Sequence, residues 1–242
     1  MRITTKTLIS LLCCLLTANW TLAQNAAFFG SNVGVAGGGG FTYVQSVAPA
    51  RVTGTSITCN MTSTVAGNLI GITAFTPSGG VTGNSVTDSA SETYIFPSGQ
   101  HGYLFTYFKE NNVGGVTTIT FSSTSSQITG AICFEYSPGS GSQDGNLIDG
   151  NLQSGTTYTS GALTGTSGTS DLLLGFVINR TSSSVTLTPN APFSVRKEYV
   201  DAGAGDRYSM VDALNTSPTS VANSGSFSSG TNSNDASIIA FK

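Results

Sequence analysis

Aspartate and asparagine alternate with glycine in Asp144-Gly145-Asn146-Leu147-Ile148-Asp149-Gly150-Asn151, where Asp-Gly-Asn occurs twice, five residues apart. Hard cations such as calcium need several oxygen ligands from a loop that glycine allows to turn sharply. Asp144, Asn146, Asp149 and Asn151 are therefore the candidate calcium ligands. The spacing is not that of an EF-hand loop, and the same residues also favour two ordinary Asx turns. No other cofactor is expected.

Catalytic chemistry is poorly supplied, and no catalytic residue is assigned. Glycoside hydrolysis needs two carboxyls at a set separation. Here Glu135 stands alone between Phe134 and Tyr136, which reads as a structural acid at a sheet edge or beside an arginine. A divergent secreted hydrolase would have to combine Glu135 with Asp88 or Asp171. The chain has 1 histidine, His101, in a Ser-Gly-Gln-His-Gly turn, and no Gly-x-Ser-x-Gly elbow with partners in place accompanies it. One histidine and two cysteines outside the leader cannot make the usual zinc sites.

Sugar binding without catalysis would rest on aromatic faces. The only tryptophan, Trp20, lies in the leader, so tyrosine must serve. Strand periodicity places Tyr103 and Tyr107 on one face with Phe105 between them, as a candidate ligand platform or as core. Cys59 and Cys133 are the cysteines outside the leader. An exported chain permits a disulfide between them. Against this, Cys59 shares an inward face with Ile57 and Met61, whereas Cys133 shares its face with Ala131 and Glu135, opposite Ile132, Phe134 and Tyr136. That parity favours two separate buried thiols over a bridge.

These residues must be positioned by short strands. Charged residues make up 9% of the chain and hydrophobic ones 38%, so there is enough apolar matter for a core and little of the Lys/Glu surface that long helices carry. Residues 1–23 read as a cleaved secretory signal peptide, with Arg2 and Lys6 before the apolar run Leu8–Leu16 and small residues at Thr21 and Ala23. That run is about ten residues, too short for the roughly 20 of a spanning helix. No other segment reads as a membrane span, and the expected location is secreted or cell-surface. Without Arg2 and Lys6, seven basic residues face twelve acidic ones, a net charge of −5. Nucleic-acid binding is excluded for want of basic groups to neutralise phosphates.

Residues 24–40 form a Gly-rich arm. From Phe41, β-prone runs alternate with Gly, Ser, Asn and Pro clusters, with no sustained helical period. The expected strands of one half include Ser56–Met61, Leu69–Phe75, Tyr103–Lys109 and Ile128–Tyr136. Those of the other include Leu172–Asn179, Arg207–Leu214 and Ala236–Phe241. Asn68-Leu69-Ile70 is echoed by Asp171-Leu172-Leu173, Tyr103–Tyr107 by Arg207–Val211, and Ala131–Phe134 by Ile238–Phe241. The offsets lie near 103 residues, which signals a repeated unit. The pseudo-repeats span about 54–136 and 155–241. The bridge between them has no charged or Pro-rich linker, which favours one domain, 41–242, with interleaved halves over two beads. The fold class is all-β: an antiparallel, jelly-roll-like β-sandwich of two pseudo-repeated halves.

Gly67-Asn68-Leu69-Ile70, Val86-Thr87-Asp88-Ser89, Tyr94, Glu135-Tyr136-Ser137 and Ile239-Ala240-Phe241-Lys242 resemble secreted bacterial β-sandwich proteins of unassigned function. The resemblance implies a jelly-roll or lectin-like sandwich and brings no activity with it. The leading expectation is an exported, non-enzymatic sandwich for cell-surface contact, adhesion or extracellular matrix structure, with a glycan or surface protein as partner. The alternatives are a carbohydrate-binding protein, calcium-assisted or not, and the divergent hydrolase.

Overall fold

The computed structural model describes residues 40–76, 83–100, 102–124, 130–139, 142–150, 153–166, 170–180, 184–201, 205–217 and 219–242. Gly40–Lys242 is one compact unit. The strands are β1 (Thr42–Val47), β2 (Ser56–Asn60), β3 (Leu69–Phe75), β4 (Ser85–Asp88), β5 (Leu104–Lys109), β6 (Thr118–Ser122), β7 (Gly130–Ser137) and β8 (Ile148–Asp149). They continue as β9 (Gln153–Thr159), β10 (Leu163–Thr164), β11 (Asp171–Asn179), β12 (Leu187–Pro189), β13 (Ser194–Asp201), β14 (Asp206–Thr216), β15 (Ser220–Val221) and β16 (Ser224–Phe241). Among the described residues no helix is long and apolar enough to cross a membrane.

The fold is all-β and antiparallel, and the two halves repeat one topology. In the first half an inner sheet of order β1-β7-β3-β5 backs onto an outer sheet β2-β6-β4. In the second half the end of β16 pairs with β8 and β11, and β11 continues to β14 and β13. The start of β16 pairs with β9 and β12 and forms the outer layer. The order β8-β16-β11-β14 thus repeats β1-β7-β3-β5, and β9-β16-β12 repeats β2-β6-β4. Even β13 has a counterpart, the single bridge of Ile95 to Phe108 beside β5.

Three apolar cores separate the layers. One fills the first half, with Ile57, Ile119 and Phe121 of the outer sheet against Ile70, Ile72 and Tyr107 of the inner. A second fills the other half around Leu173, Val177, Val211, Phe227 and Ile238. The third lies between the two inner sheets, with Leu69, Phe134 and Tyr136 against Leu174, Phe176 and Ile239. The inner strands are therefore covered on both faces, and every residue of β3 and β11 is buried. Their near-continuous apolar runs have this cause. Outer strands alternate instead: in β2, Ile57 and Cys59 point in while Ser56, Thr58 and Asn60 point out.

Among the described residues no strand pairing joins the sheets of one half to those of the other, and the halves meet through the core between their inner sheets. The absent linker reflects the broad core between the inner sheets. Polar ties reinforce that core. The Tyr136 hydroxyl donates to Asp212 Oδ2 at 2.8 Å, and Arg196 Nε reaches both Asp212 oxygens at 2.7 Å. Arg51 pairs with Asp201 at 3.1 Å. Gly71 shows how tight the inner layer is: a Cβ there would meet the Phe134 ring and would lie 2.6 Å from the Tyr107 carbonyl oxygen.

One element departs from the sequence pattern at length. The expected strand Ala236–Phe241 extends back to Ser224 through a Ser/Gly/Asn-rich stretch that reads as turn. Pairing with β9 and β12, with register shifts after Ser226 and Thr231 that let the strand bend between layers, overrides the local propensity.

Candidate functional site

The bridge that joins the halves runs antiparallel along the end of β16. Lys242 N donates to Ser142 O, Asp144 N to Ala240 O and Gly150 N to Ala236 O. This extended path separates Asp144, Asn146 and Asp149 instead of gathering them. Asp144 lies beside Ala240, while Asp149 pairs with Ser237, about three residues or ~10 Å further along the strand. Asn146 is exposed and accepts from Ser98 Oγ at 3.3 Å. Asn151 lies outside the described residues. Among the described residues no three His, Cys, Asp or Glu converge where they could hold a metal ion.

Each bridge aspartate instead meets an acid of the second half that sequence reasoning did not connect with it. Asp144 adjoins Asp171 and the Lys242 ammonium, whose Nζ is 3.5 Å from Asp144 Oδ1. Asp171 is fully buried, and neither carboxylate oxygen has a hydrogen-bond partner. Burial first and the Asp144 charge second push the Asp171 carboxyl above the usual carboxylate range, and Lys242 pulls it down. Asp149 is hydrogen-bonded to Asp235, whose Oδ1 also accepts the Ala236 N–H at 2.8 Å. Burial and the Asp149 charge raise Asp235 to about 8, opposed by that N–H. Asp235 lies just before the expected strand Ala236–Phe241, so no sequence signal marked it as a strand acid; only the longer β16 places it there.

Glu135 is fully buried in an interior strand, not at a sheet edge, and among the described residues it forms no ion pair with an arginine. Its Oε1 accepts from Val65 N at 2.8 Å and Asn68 Nδ2 at 2.7 Å, and its Oε2 accepts from Gln45 Nε2 at 2.6 Å. Asn112 extends the set by donating to the carbonyls of Val65 and Asn68. The carboxylate organises the loop from Thr62 to Asn68. Asp88 serves its own loop, accepting from Ala90 N, Glu92 N and the Tyr94 hydroxyl. Among the described residues the hydrogen-bond partners of Glu135 are Gln45, Val65 and Asn68, and neither Asp88 nor Asp171 is one of them. His101 lies outside the described residues.

Tyr103 and Tyr107 do not share an exposed face. β5 begins at Leu104, so Tyr103 sits in the preceding turn, packed toward the core between the halves under the Arg180 guanidinium at 5.0 Å. Tyr107 is 8% exposed within the first half's core, where it contacts Phe96 and Phe121. Cys59 and Cys133 are joined by a disulfide, with Cα atoms 6.2 Å apart. The parity argument against this bridge assumed that only one face of β7 is covered. Both are, and the face bearing Ala131 and Cys133 looks onto the outer sheet that carries Cys59.

The outer surface of β2-β6-β4 is an ordered polar feature. Register aligns Ser56, Ser122 and Ser85 in one row and Thr58, Thr120 and Thr87 in the next. Thr58 and Thr120 hydroxyls bond at 2.8 Å. Rows repeat about every 6.7 Å along the strands and about 4.8 Å across them. The second half carries an equivalent row, Thr157, Ser226 and Thr188. The layer order makes the two surfaces face opposite ways. No protein-family model, curated protein or solved structure matches this chain.

Proposed function

We propose that this is an exported, non-enzymatic β-sandwich that makes extended contacts with an extracellular polymer or cell surface through its two outer sheets. The observation that carries this reading is the hydroxyl array of Ser56, Thr58, Thr120, Ser122, Ser85 and Thr87, with its counterpart on the other half. Hydroxyls in register offer donors and acceptors at a fixed spacing, and opposite charges are not needed for contact. Two arrays facing opposite ways suit a cross-linking or matrix role. Export is supported by the leader-like residues 1–23 and by the disulfide, which persists in oxidising compartments. The lectin-like resemblance is compatible with a polysaccharide partner.

The test is co-sedimentation of the purified mature chain with insoluble polysaccharide particles and with protein-coated beads. Binding to one class, particle clumping by the wild type, and loss of clumping in Thr58→Arg/Thr120→Arg with residual binding through the other face are expected. Absence of binding to either class, or full clumping by the variant, rejects the reading.

A further inference from the structure

We propose that Asp149, Asp235 and Ser237 form a site for a hard divalent cation of the calcium class. Three observations converge. The carboxyls of Asp149 and Asp235 are in hydrogen-bond contact, and Asp235 is 1% exposed. Two carboxylates that close cannot both stay ionised unless a proton or a cation lies between them. Asp235 Oδ1 accepts the Ala236 N–H, which fixes the carboxylate, while its Oδ2 lies toward the turn at Gly102.

The independent observation is Ser237. Its side chain is 1% exposed, and its Oγ has no hydrogen-bond partner. Ser237 pairs directly with Asp149 across β16 and β8, and it is two residues from Asp235. All three side chains therefore lie on the same face of the sheet. A buried hydroxyl without a partner is costly, and a cation between the two carboxyls would take its lone pair. Room exists on the facing turn, because Gly102 brings no side chain there: a Cβ at that position would come within 3.9 Å of Asp235 Oδ2.

The chemistry selects the ion. The donors are all oxygen, which disfavours zinc and copper. Calcium tolerates an irregular shell completed by water, whereas magnesium demands a near-ideal octahedron. Two carboxylates and a hydroxyl place affinity with extracellular calcium modules, about 10⁻⁴–10⁻³ M. This site is independent of the hydroxyl arrays and stands or falls separately from the contact function.

The experiment uses the mature chain with calcium alone as the probe. Equilibrium dialysis against calcium is expected to show saturable binding at one ion per chain. The melting midpoint is expected to rise by about 3–6 °C at roughly ten times Kd relative to chelator. Asp235→Asn, which keeps an acceptor for the Ala236 N–H, and Asp149→Asn should each abolish the calcium-dependent rise. Ser237→Ala should weaken binding several-fold, and Asp171→Asn should leave it intact. Lack of calcium uptake by the wild type, or an unchanged calcium response in both Asp235→Asn and Asp149→Asn, overturns the proposal. If either variant fails to fold, wild-type dialysis still decides whether calcium binds, and Ser237→Ala against Asp171→Asn decides where.

Discussion

Replacing Glu135 with glutamine changes one oxygen to an NH2 group and almost nothing in shape. The retained Oε1 can still accept from Val65 N and Asn68 Nδ2. The new amide, however, would face Gln45 Nε2, a donor now 2.6 Å from Oε2. Gln45 cannot turn its own amide to compensate. Its Oε1 accepts from Thr62 N at 3.1 Å and its Nε2 donates to Thr62 O at 2.9 Å, and a flip would break both. The substitution loses one charge-assisted hydrogen bond, weakens two others and opposes two donors. Hydrogen bonds to a charged group contribute about 1.5–3 kcal/mol each, and an unsatisfied buried donor costs about 1–3 kcal/mol. A net loss of about 2–4 kcal/mol follows, or about 4–16 °C in Tm for a chain of this size. Urea unfolding of Glu135→Gln beside the wild type, with fixed m-value, measures it. A loss below about 0.5 kcal/mol, the range of an inert surface change, would refute the view that this carboxylate holds the Thr62–Asn68 loop in place.

Two further outcomes follow from the same geometry. Reducing the Cys59–Cys133 disulfide, which closes a separation of 74 residues, should lower unfolding free energy by about 4 kcal/mol on the loop-entropy estimate, read as a shift in urea midpoint with and without reductant. Asp171 is held above its ordinary pKa, so the folded state retains a proton that the unfolded state has released. Its contribution to stability is greatest below the usual carboxylate pKa and is lost as pH rises through the folded value. Asp171→Asn should therefore match the wild type in acid and exceed it at neutral pH; equal midpoints at both ends of a pH series would contradict this.

What the sequence made legible follows burial. The echo between Leu69-Ile70 and Leu172-Leu173 was visible because both segments are covered on two faces, and that demand leaves an apolar run no turn can imitate. The pairing of Cys59 with Cys133 was misread for the same reason, since a strand with two cores has no outside for parity to identify. The start of β16 was illegible because Ser224 to Asn234 carries turn-formers, and only its partners in β9 and β12 make it strand. The acid contacts were invisible because Asp171 and Asp235 meet the bridge through space, far from it in the sequence. The alignment of Ser and Thr hydroxyls into rows depends on register across β2, β6 and β4, which no single segment specifies.

The late position of β7 and β16 within their halves governs how this molecule is assembled. Each is the strand that completes its inner sheet, and β7 must insert between β1 and β3, whose paired residues Val47 and Ile72 precede Cys133 by 86 and 61 positions. β16 does the same between β8 and β11 and also supplies the outer layer. Neither half can close until its final strand arrives, so most stabilising contacts are distant along the chain. Such topologies search slowly, on the millisecond-to-second scale. On the export proposed above, that delay would serve threading through a translocation channel, because the arrangement that makes the finished sandwich also keeps the polypeptide open until its final strand arrives.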